Sequence, residues 1–574
     1  MSADTLAGLL RARAGDDRPG LLFEEQAWTW RAYVAGCRDR AAWLDAAHRA
    51  RHDAAAHRGS PERASGQTSG PDGATEPSHV GVLFDNVPEL LLLLGGAALS
   101  GHVIVALNTT RSVEELARDA RATHVAVIVH EASYAGIATA LAGRLEVEAV
   151  CVDPRGGGDP PAPAAVESGA VPRQSGDPAP EDLVMLIFTS GTSGQPRAVR
   201  VTQRKIALPG VSLAAMLTPQ DVVYCSMPLF HSGAIMAAYA PAVASGAALV
   251  LRRRFSASGV LPDVRRYGCT YLHYVGKALS YVLATPEEPD DARNTLKIAF
   301  GNEGSATAVR RFGQRFGCRV IDAFGSTETA IAITPDPAGP PGCLGRLPEG
   351  VEIRDPLTGR PCPPAIIEGG RLLNAYEAIG ELVNTRGLGL FDGYYNDPQA
   401  DGERVRKGEF WSGDMAYADA DGYVFFSGRG TERLRVDGEN LAVAPIEGVI
   451  REFPGVIEAA VYPVPDAAAG DQVMAALVLE GDFDPQAFAA FLAGRGDLSG
   501  KALPRYVRVA KELPQTPSHK VVKRLLAAQA WRAGDPVWWR SPAAPATFRQ
   551  ITPLDLAAIE DEFTRHGRHH LLER

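Results

Sequence analysis

The chain has 574 residues, 45% hydrophobic and 22% charged, which is globular composition at a length that calls for several packed units. Its 68 acidic and 58 basic side chains give a formal net charge of −10, which argues against non-specific nucleic-acid binding, since that rests on Lys and Arg neutralising phosphates. Seven Cys, with no Cys-x-x-Cys pair, read as reduced thiols and speak against a disulfide framework or a zinc site.

The N-terminal residues lack the apolar stretch of a secretory signal. Residues 46–78, rich in Ala, His, Arg, Gly, Ser and Pro without an apolar period, read as an exposed loop or insertion. A strand is expected at 80–84. Residues 90–107 are nearly long enough to span a bilayer, but Gly95, Gly96, Ser100, Gly101 and His102 interrupt them. A buried helix running into a strand at Val103 fits better, so no transmembrane segment and a cytoplasmic location are expected. Strands follow at 125–129 and 147–152, then a second Pro-, Gly- and Ala-rich loop at 154–181. Further strands are expected at 183–188, 222–226, 247–251, 297–300 and 320–324, separated by helical patterns. Such alternation predicts α/β layers with largely buried sheets.

The texture changes after residue 428. Residues 429–438 are dense in charge and Gly, as a hinge would be. Beyond them come strands at 459–464 and 473–479, a helix at 485–493 and a strand at 507–509. The chain therefore reads as a large multi-layer α/β domain over 1–428 and a smaller, mobile α+β lid over 429–574.

The strongest local signal follows the strand at 183–188. It delivers Thr189, Ser190, Gly191, Thr192, Ser193 and Gly194, with Arg197 three residues on. Small residues let a backbone close around an anion, N–H groups and hydroxyls supply donors, and the guanidinium adds a forked positive charge. It is not a Walker loop, because the second Gly of that motif would fall at Pro196. A plain Ser/Gly surface loop is the alternative.

Other segments supply the context. The loop resembles the signature loop of adenylate-forming enzymes, the superfamily of acyl-CoA synthetases, luciferases and peptide-synthetase adenylation domains. Further stations of that superfamily follow in order: Met227 to Ser232, Asp322 to Glu328, Trp411 to Asp414, Gly428 with Arg429, and Pro514 to Lys520. Tyr274 to Lys277, Gly301 to Glu303, Arg435 to Asn440 and Asp535 to Trp539 resemble the fatty-acid-transport-protein and very-long-chain acyl-CoA synthetase branch, in its actinobacterial form.

The resemblance implies two steps. A carboxylate attacks the α-phosphate of ATP, releasing pyrophosphate, and coenzyme A thiol then attacks the acyl-adenylate. It implies ATP, Mg²⁺ and coenzyme A as cofactor and co-substrates. Thr189 to Gly194 with Arg197 would hold the β,γ-phosphates, Arg197 standing where Lys is usual. Glu328 would bind Mg²⁺, supported by Thr189. Asp414 would accept from the ribose hydroxyls, with Arg429 near the same nucleotide. Arg435 is assigned to the nucleotide site on the same ground. Asp322 and Thr327 would flank adenine and α-phosphate. Lys520 would be the mobile catalytic cation, with Lys523 its local competitor. His231 would form a wall between acyl and nucleotide sites, a core His being the alternative.

The sequence also departs from the family pattern. His519 replaces the usual Gly, Glu328 is followed by Thr329 and Ala330 instead of two Gly, and His273 and Ala278 replace Asn and Pro. His273, Ala278, Thr329 and Ala330 fall in segments that line the acyl pocket by resemblance. Polar groups there favour a small amino- or hydroxy-aryl substrate over a simple fatty acid. The reading is an acid–CoA ligase for a fatty or aryl acid. An ATP-dependent diazotase joining nitrite to an aryl amine, an adenylating domain that loads a carrier protein, and a non-catalytic lipid-binding protein stay open as alternatives. The expected partner is a small-molecule acid or aryl amine, with no nucleic acid; a homodimer is left open.

Overall fold

The structure, a computed structural model, describes residues 3–57, 77–156, 177–190, 196–276, 278–304, 306–340, 342–368, 371–429, 433–436, 439–468, 471–495, 498, 500–515, 521–541, 544 and 546–572. The chain forms two compact units. One comprises 1–330 with 388–403, the other 331–387 with 404–574.

In chain order the first unit carries β1 (Pro19–Phe23), β2 (Gln26–Thr29), β3 (His79–Leu83), β4 (Val103–Ala106), β5 (Val125–His130) and β6 (Glu148–Cys151). There follow β7 (Leu183–Ser190), β8 (Pro196–Thr202), β9 (Val222–Cys225), β10 (Ala248–Leu251), β11 (Tyr271–Val275), β12 (Ile298–Asn302) and β13 (Arg319–Asp322). They make two sheets, in the orders β13-β12-β11-β9-β10-β1-β2 and β6-β5-β3-β4-β7-β8. All neighbours are parallel except β1 with β2 and β7 with β8. Every residue of β3, β4 and β10 is buried, which is why β4 and β10 are apolar throughout and β3 is apolar after His79 apart from Gly81.

The interrupted apolar run is a helix, Pro88–Ser100, that leads into β4. Its glycines are packing positions. A Cβ on Gly95 would meet Cys37 Sγ at 2.4 Å, and one on Gly96 would meet Arg40 Cβ at 2.8 Å, so only Gly lets the helix Trp30–His57 approach this closely. Arg40 and Glu89 tie the two helices with a buried ion pair at 2.7 Å. Among the described residues no helix is long and apolar enough to cross a membrane.

One expectation fails here. Residues 46–57 are not loop but the last turns of the helix Trp30–His57. Ala46, Ala47, Ala50 and Ala54 to Ala56 supply helix propensity where apolar periodicity is weak. Residues 58–76, the rest of that expected loop, lie outside the described residues, as do 157–176 of the second.

The second unit opens with an antiparallel sheet that the sequence reading did not anticipate. Its order is Gly345–Arg346, Tyr423–Arg429, Glu409–Ala418, Gly380–Asn384 and Val351–Arg354, with Val405–Arg406 paired onto Glu409–Ala418. The expected hinge contains strand Arg433–Val436, paired with Glu439–Ala442. A further sheet follows in the order Val456–Pro465, Asp471–Leu479, Tyr506–Val509, Val537–Trp539 and Arg549–Gln550. Helix Pro485–Ala493 starts at Asp484, whose carboxylate accepts from the N–H groups of Gln486 and Ala487, and buries Phe488 and Leu492.

Candidate active site

β7 and β8 form the hairpin that carries the Ser/Gly loop. Their register sets Thr189 opposite Arg197 and Ser190 opposite Pro196, so the strands bring both ends of the loop together. Gly191, Thr192, Ser193 and Gly194 themselves lie outside the described residues. Arg197 is buried at 6% exposure and paired with Glu403. Its guanidinium lies 5.4 Å above the Tyr394 ring, and its Nη1 has no hydrogen-bond partner among the described residues. A buried donor without a partner is costly, and an anion would satisfy it.

Tyr394 joins this hairpin to Glu328. Its backbone bridges to Val199 of β8, Tyr395 N–H donates to Ala198 O at 2.7 Å, and the Tyr394 hydroxyl donates to Glu328 Oε1 at 2.8 Å. Glu328 sits on the loop after β13. There Thr329, at φ 55°, donates its N–H to Ser326 O at 3.0 Å, and Leu390 N–H donates to Thr329 O at 3.2 Å. Thr327 Oγ1 lies 2.9 Å from Ser232 Oγ, and Thr329 Oγ1 lies 3.8 Å from Met236 Sδ. Ser232 begins a helical turn with His231 at its N-cap position. Arg197, Glu328, Thr327 and Ser232 are thus linked through Tyr394 and one hydroxyl pair. His231 is the residue before Ser232.

Two buried nitrogen bases stand around this centre. Lys205, on helix Gln203–Ala214, is fully buried with no hydrogen-bond partner for Nζ among the described residues. It lies 5.8 Å above the Phe391 ring. Burial pulls its ammonium down to about 8, against the opposing pull of Glu328 and Asp392. His273, on β11, is held to about 4 by burial, so its ring is neutral at physiological pH. Ala278 and Ala330 are buried, Thr329 half-buried.

Asp322 proves to be an internal fastener. Its Oδ2 accepts from the Tyr274 hydroxyl and the Gly304 N–H, both at 2.7 Å, which pins the loop after β12 to the end of β13. Burial raises its carboxyl to about 6.

In the second unit, Asp414 is buried and lies directly across the strand pair from Arg429. The Ser412 hydroxyl accepts from Asp414 N–H at 3.0 Å. Arg435 lies on the hairpin opposite Asn440. Lys520 lies outside the described residues; Gln515 and Val521, on either side of that segment, form an isolated antiparallel bridge. Lys523, its sequence competitor, is paired with Glu447 at 2.8 Å. Tyr394, Glu403 and Lys205 were missed in the sequence. Phe391-Asp-Gly-Tyr-Tyr395, an aromatic run around a Gly, was the one available signal for Tyr394.

Residues 72–395 match the AMP-binding enzyme family, and residues 445–520 match the AMP-binding enzyme C-terminal domain. The chain belongs to the AMP-binding enzyme family. Among curated relatives it is 42% identical to a steroid-22-oyl-CoA synthetase of Rhodococcus jostii, over 99% of each chain. It is 48% identical to a medium/long-chain-fatty-acid–CoA ligase, FadD17, of Mycobacterium marinum, over 81% of this chain and 89% of that one. Among solved structures, ATP-bound MatB from Rhodopseudomonas palustris shares the fold at TM-score 0.76 and 23% identity, covering 92% of this chain and 98% of that one. This AMP-binding enzyme is an ATP-dependent acid–CoA ligase: it adenylates a carboxylic acid and transfers the acyl group to coenzyme A, with Mg²⁺ as cofactor. The diazotase alternative finds no support in these relatives.

Proposed function

We propose that this ligase activates a large apolar carboxylic acid, fatty or polycyclic, in the cytoplasm. The names of the two curated relatives, one steroidal and one medium/long-chain, support that size class. We propose further that residues 1–428 bind the nucleotide and acid, and that residues 429–574 act as the lid.

The observation that carries the site assignment is Tyr394, which stacks under Arg197 and hydrogen-bonds Glu328. It sets the cation proposed for pyrophosphate beside the carboxylate proposed for Mg²⁺. Thr189, Ser190, Gly191, Thr192, Ser193 and Gly194 would wrap the β,γ-phosphates, and Arg197 would spend its unpartnered Nη1 on them. Glu328 suits Mg²⁺, which takes few protein carboxylates and completes its shell with phosphate oxygens and water. When bound, the ion neutralises charge on the transferring phosphates.

Asp414 would accept from the ribose hydroxyls, with Arg429 and Arg435 along the same nucleotide. Asp322 would shape the adenine side through the loop it pins, and Thr327 would face the α-phosphate. Lys520 would neutralise charge developing between carboxylate and α-phosphate, because Lys523 is already engaged by Glu447. His231 would separate acyl from nucleotide, and His273, Ala278, Thr329 and Ala330 would border the acid.

A panel of fatty, aryl and steroidal acids, incubated with Mg·ATP and CoA, tests this reading. Thioester, AMP and pyrophosphate in equal amounts are expected from a large apolar acid. Preference for small aryl acids over every fatty and steroidal acid would contradict the size class.

A further inference from the structure

We infer that Arg404 is the donor that completes recognition of the nucleotide ribose. The inference rests on the proposed assignment of Asp414 to that sugar and supplies the group that a carboxylate lacks.

A ribose hydroxyl is at once a donor and an acceptor. Asp414, as an ionised carboxylate, can only accept. It takes the hydroxyl protons and leaves the lone pairs of the same oxygens without a partner. A site that selects ribose therefore gains from a donor beside Asp414.

Arg404 stands there. It ends the helix Pro398–Arg404, and the next two residues, Val405 and Arg406, pair with Phe410 and Glu409 of strand Glu409–Ala418. This tight return lays the Arg404 side chain over the turn of Ser412, Gly413 and Asp414. A Cβ on Gly413 would run into Arg404 Nη1 and stand 3.0 Å from Cζ and 3.1 Å from Nη2. Gly413 also has φ 74°, so close approach and backbone conformation both call for glycine.

The guanidinium is uncommitted. Among the described residues it forms no ion pair and no hydrogen bond, although two carboxylates stand at the same turn. One of them, Glu381, accepts instead from the Gly413 N–H at 2.6 Å. Arg404, Ser412 and Gly413 are each half-buried, so solvent reaches this face of the turn. Nε is enclosed without a partner, whereas Nη1 and Nη2 are not enclosed. A forked donor with two open N–H edges thus sits against the residue that precedes Asp414.

The test compares ATP with 2′-deoxy-ATP and 3′-deoxy-ATP at saturating acid and CoA. Wild type should favour ATP over at least one of them about tenfold in kcat/KM, as loss of a hydrogen bond to a charged group requires. Arg404→Met should remove most of that preference by raising the KM for ATP, with the KM for acid and CoA and the melting temperature unchanged. Calorimetric binding of AMP and its deoxy analogues should show the same pattern without turnover. An Arg404→Met enzyme that keeps the preference would overturn the inference, and loss of it in Arg429→Met alone would pass the role to Arg429. Equal weakening of all three nucleotides in Arg404→Met would overturn it too, because it would place the cation on a phosphate. A wild type that treats the three nucleotides alike, or an Asp414→Asn enzyme that keeps the preference, would overturn the ribose assignment itself.

Discussion

The Tyr394 hydroxyl donates to Glu328 Oε1 at 2.8 Å, and the same ring lies 5.4 Å under the Arg197 guanidinium. One side chain therefore holds a carboxylate and a cation that lie about 130 residues apart in sequence. A charged acceptor makes this hydrogen bond worth roughly 1.5–3 kcal/mol. The aromatic face adds cation–π attraction to Arg197.

Tyr394→Phe removes the hydrogen bond and keeps the ring. The Mg²⁺ concentration needed for half-maximal activity should rise about tenfold, with the melting temperature almost unchanged. Activity titrated against Mg²⁺ at saturating acid and CoA measures this. An unchanged Mg²⁺ requirement would show that Tyr394 does not position Glu328 for the ion.

Glu403 holds Arg197 in an ion pair and is itself about half exposed. Under the proposed assignment of Arg197, pyrophosphate would compete with it for the guanidinium. Glu403→Gln should lower the KM for ATP and strengthen product inhibition by pyrophosphate, each several-fold. Steady-state kinetics with added pyrophosphate read both. Arg197→Ala should do the reverse, and a Glu403→Gln enzyme that behaves like Arg197→Ala would mean that the pair is needed intact.

Lys205 gives a stability prediction with a defined sign. Its folded value, about 8, lies below the ordinary 10.5 of lysine. The unfolded chain thus binds the proton more tightly. The cost to the fold is complete below pH 8 and fades as pH rises toward 10.5, amounting to about 3 kcal/mol. Lys205→Met should stabilise the protein by up to that amount at pH 7, and the gain should vanish by pH 10.5. Denaturant midpoints of both proteins across that window decide it. A gain independent of pH would show that the ammonium is not what the core resists.

Lys520→Ala should cut adenylate formation by orders of magnitude yet leave supplied acyl-adenylate convertible with CoA, as a reorienting lid requires. Single-turnover assays separate the two half-reactions. Equal loss in both would assign Lys520 to a step that they share.

The sequence was most informative where strands are buried on both faces. β4 and β10 carry unbroken apolar runs, and such runs do not depend on neighbours to be recognised. Strand Val351–Arg354 was missed because Val351 and Ile353 alternate with Glu352 and Arg354 in only four residues, too few to establish a period. Gly95 and Gly96 looked like interruptions because their partner, the helix carrying Cys37 and Arg40, lies far off in sequence. Glu328 and Asp414 are proposed from the sequence because each stands inside a compact motif. Tyr394, Glu403 and Lys205 act across distances that only folding closes.

The central claim is that the chain activates its acid as an adenylate, and acid-dependent ATP–pyrophosphate exchange without CoA tests it most directly. Wild type should exchange label between pyrophosphate and ATP only when a suitable acid and Mg²⁺ are present, and Glu328→Gln should lose most of that exchange while staying folded. Acid-dependent release of ADP and phosphate, with no exchange under any acid, would contradict the account.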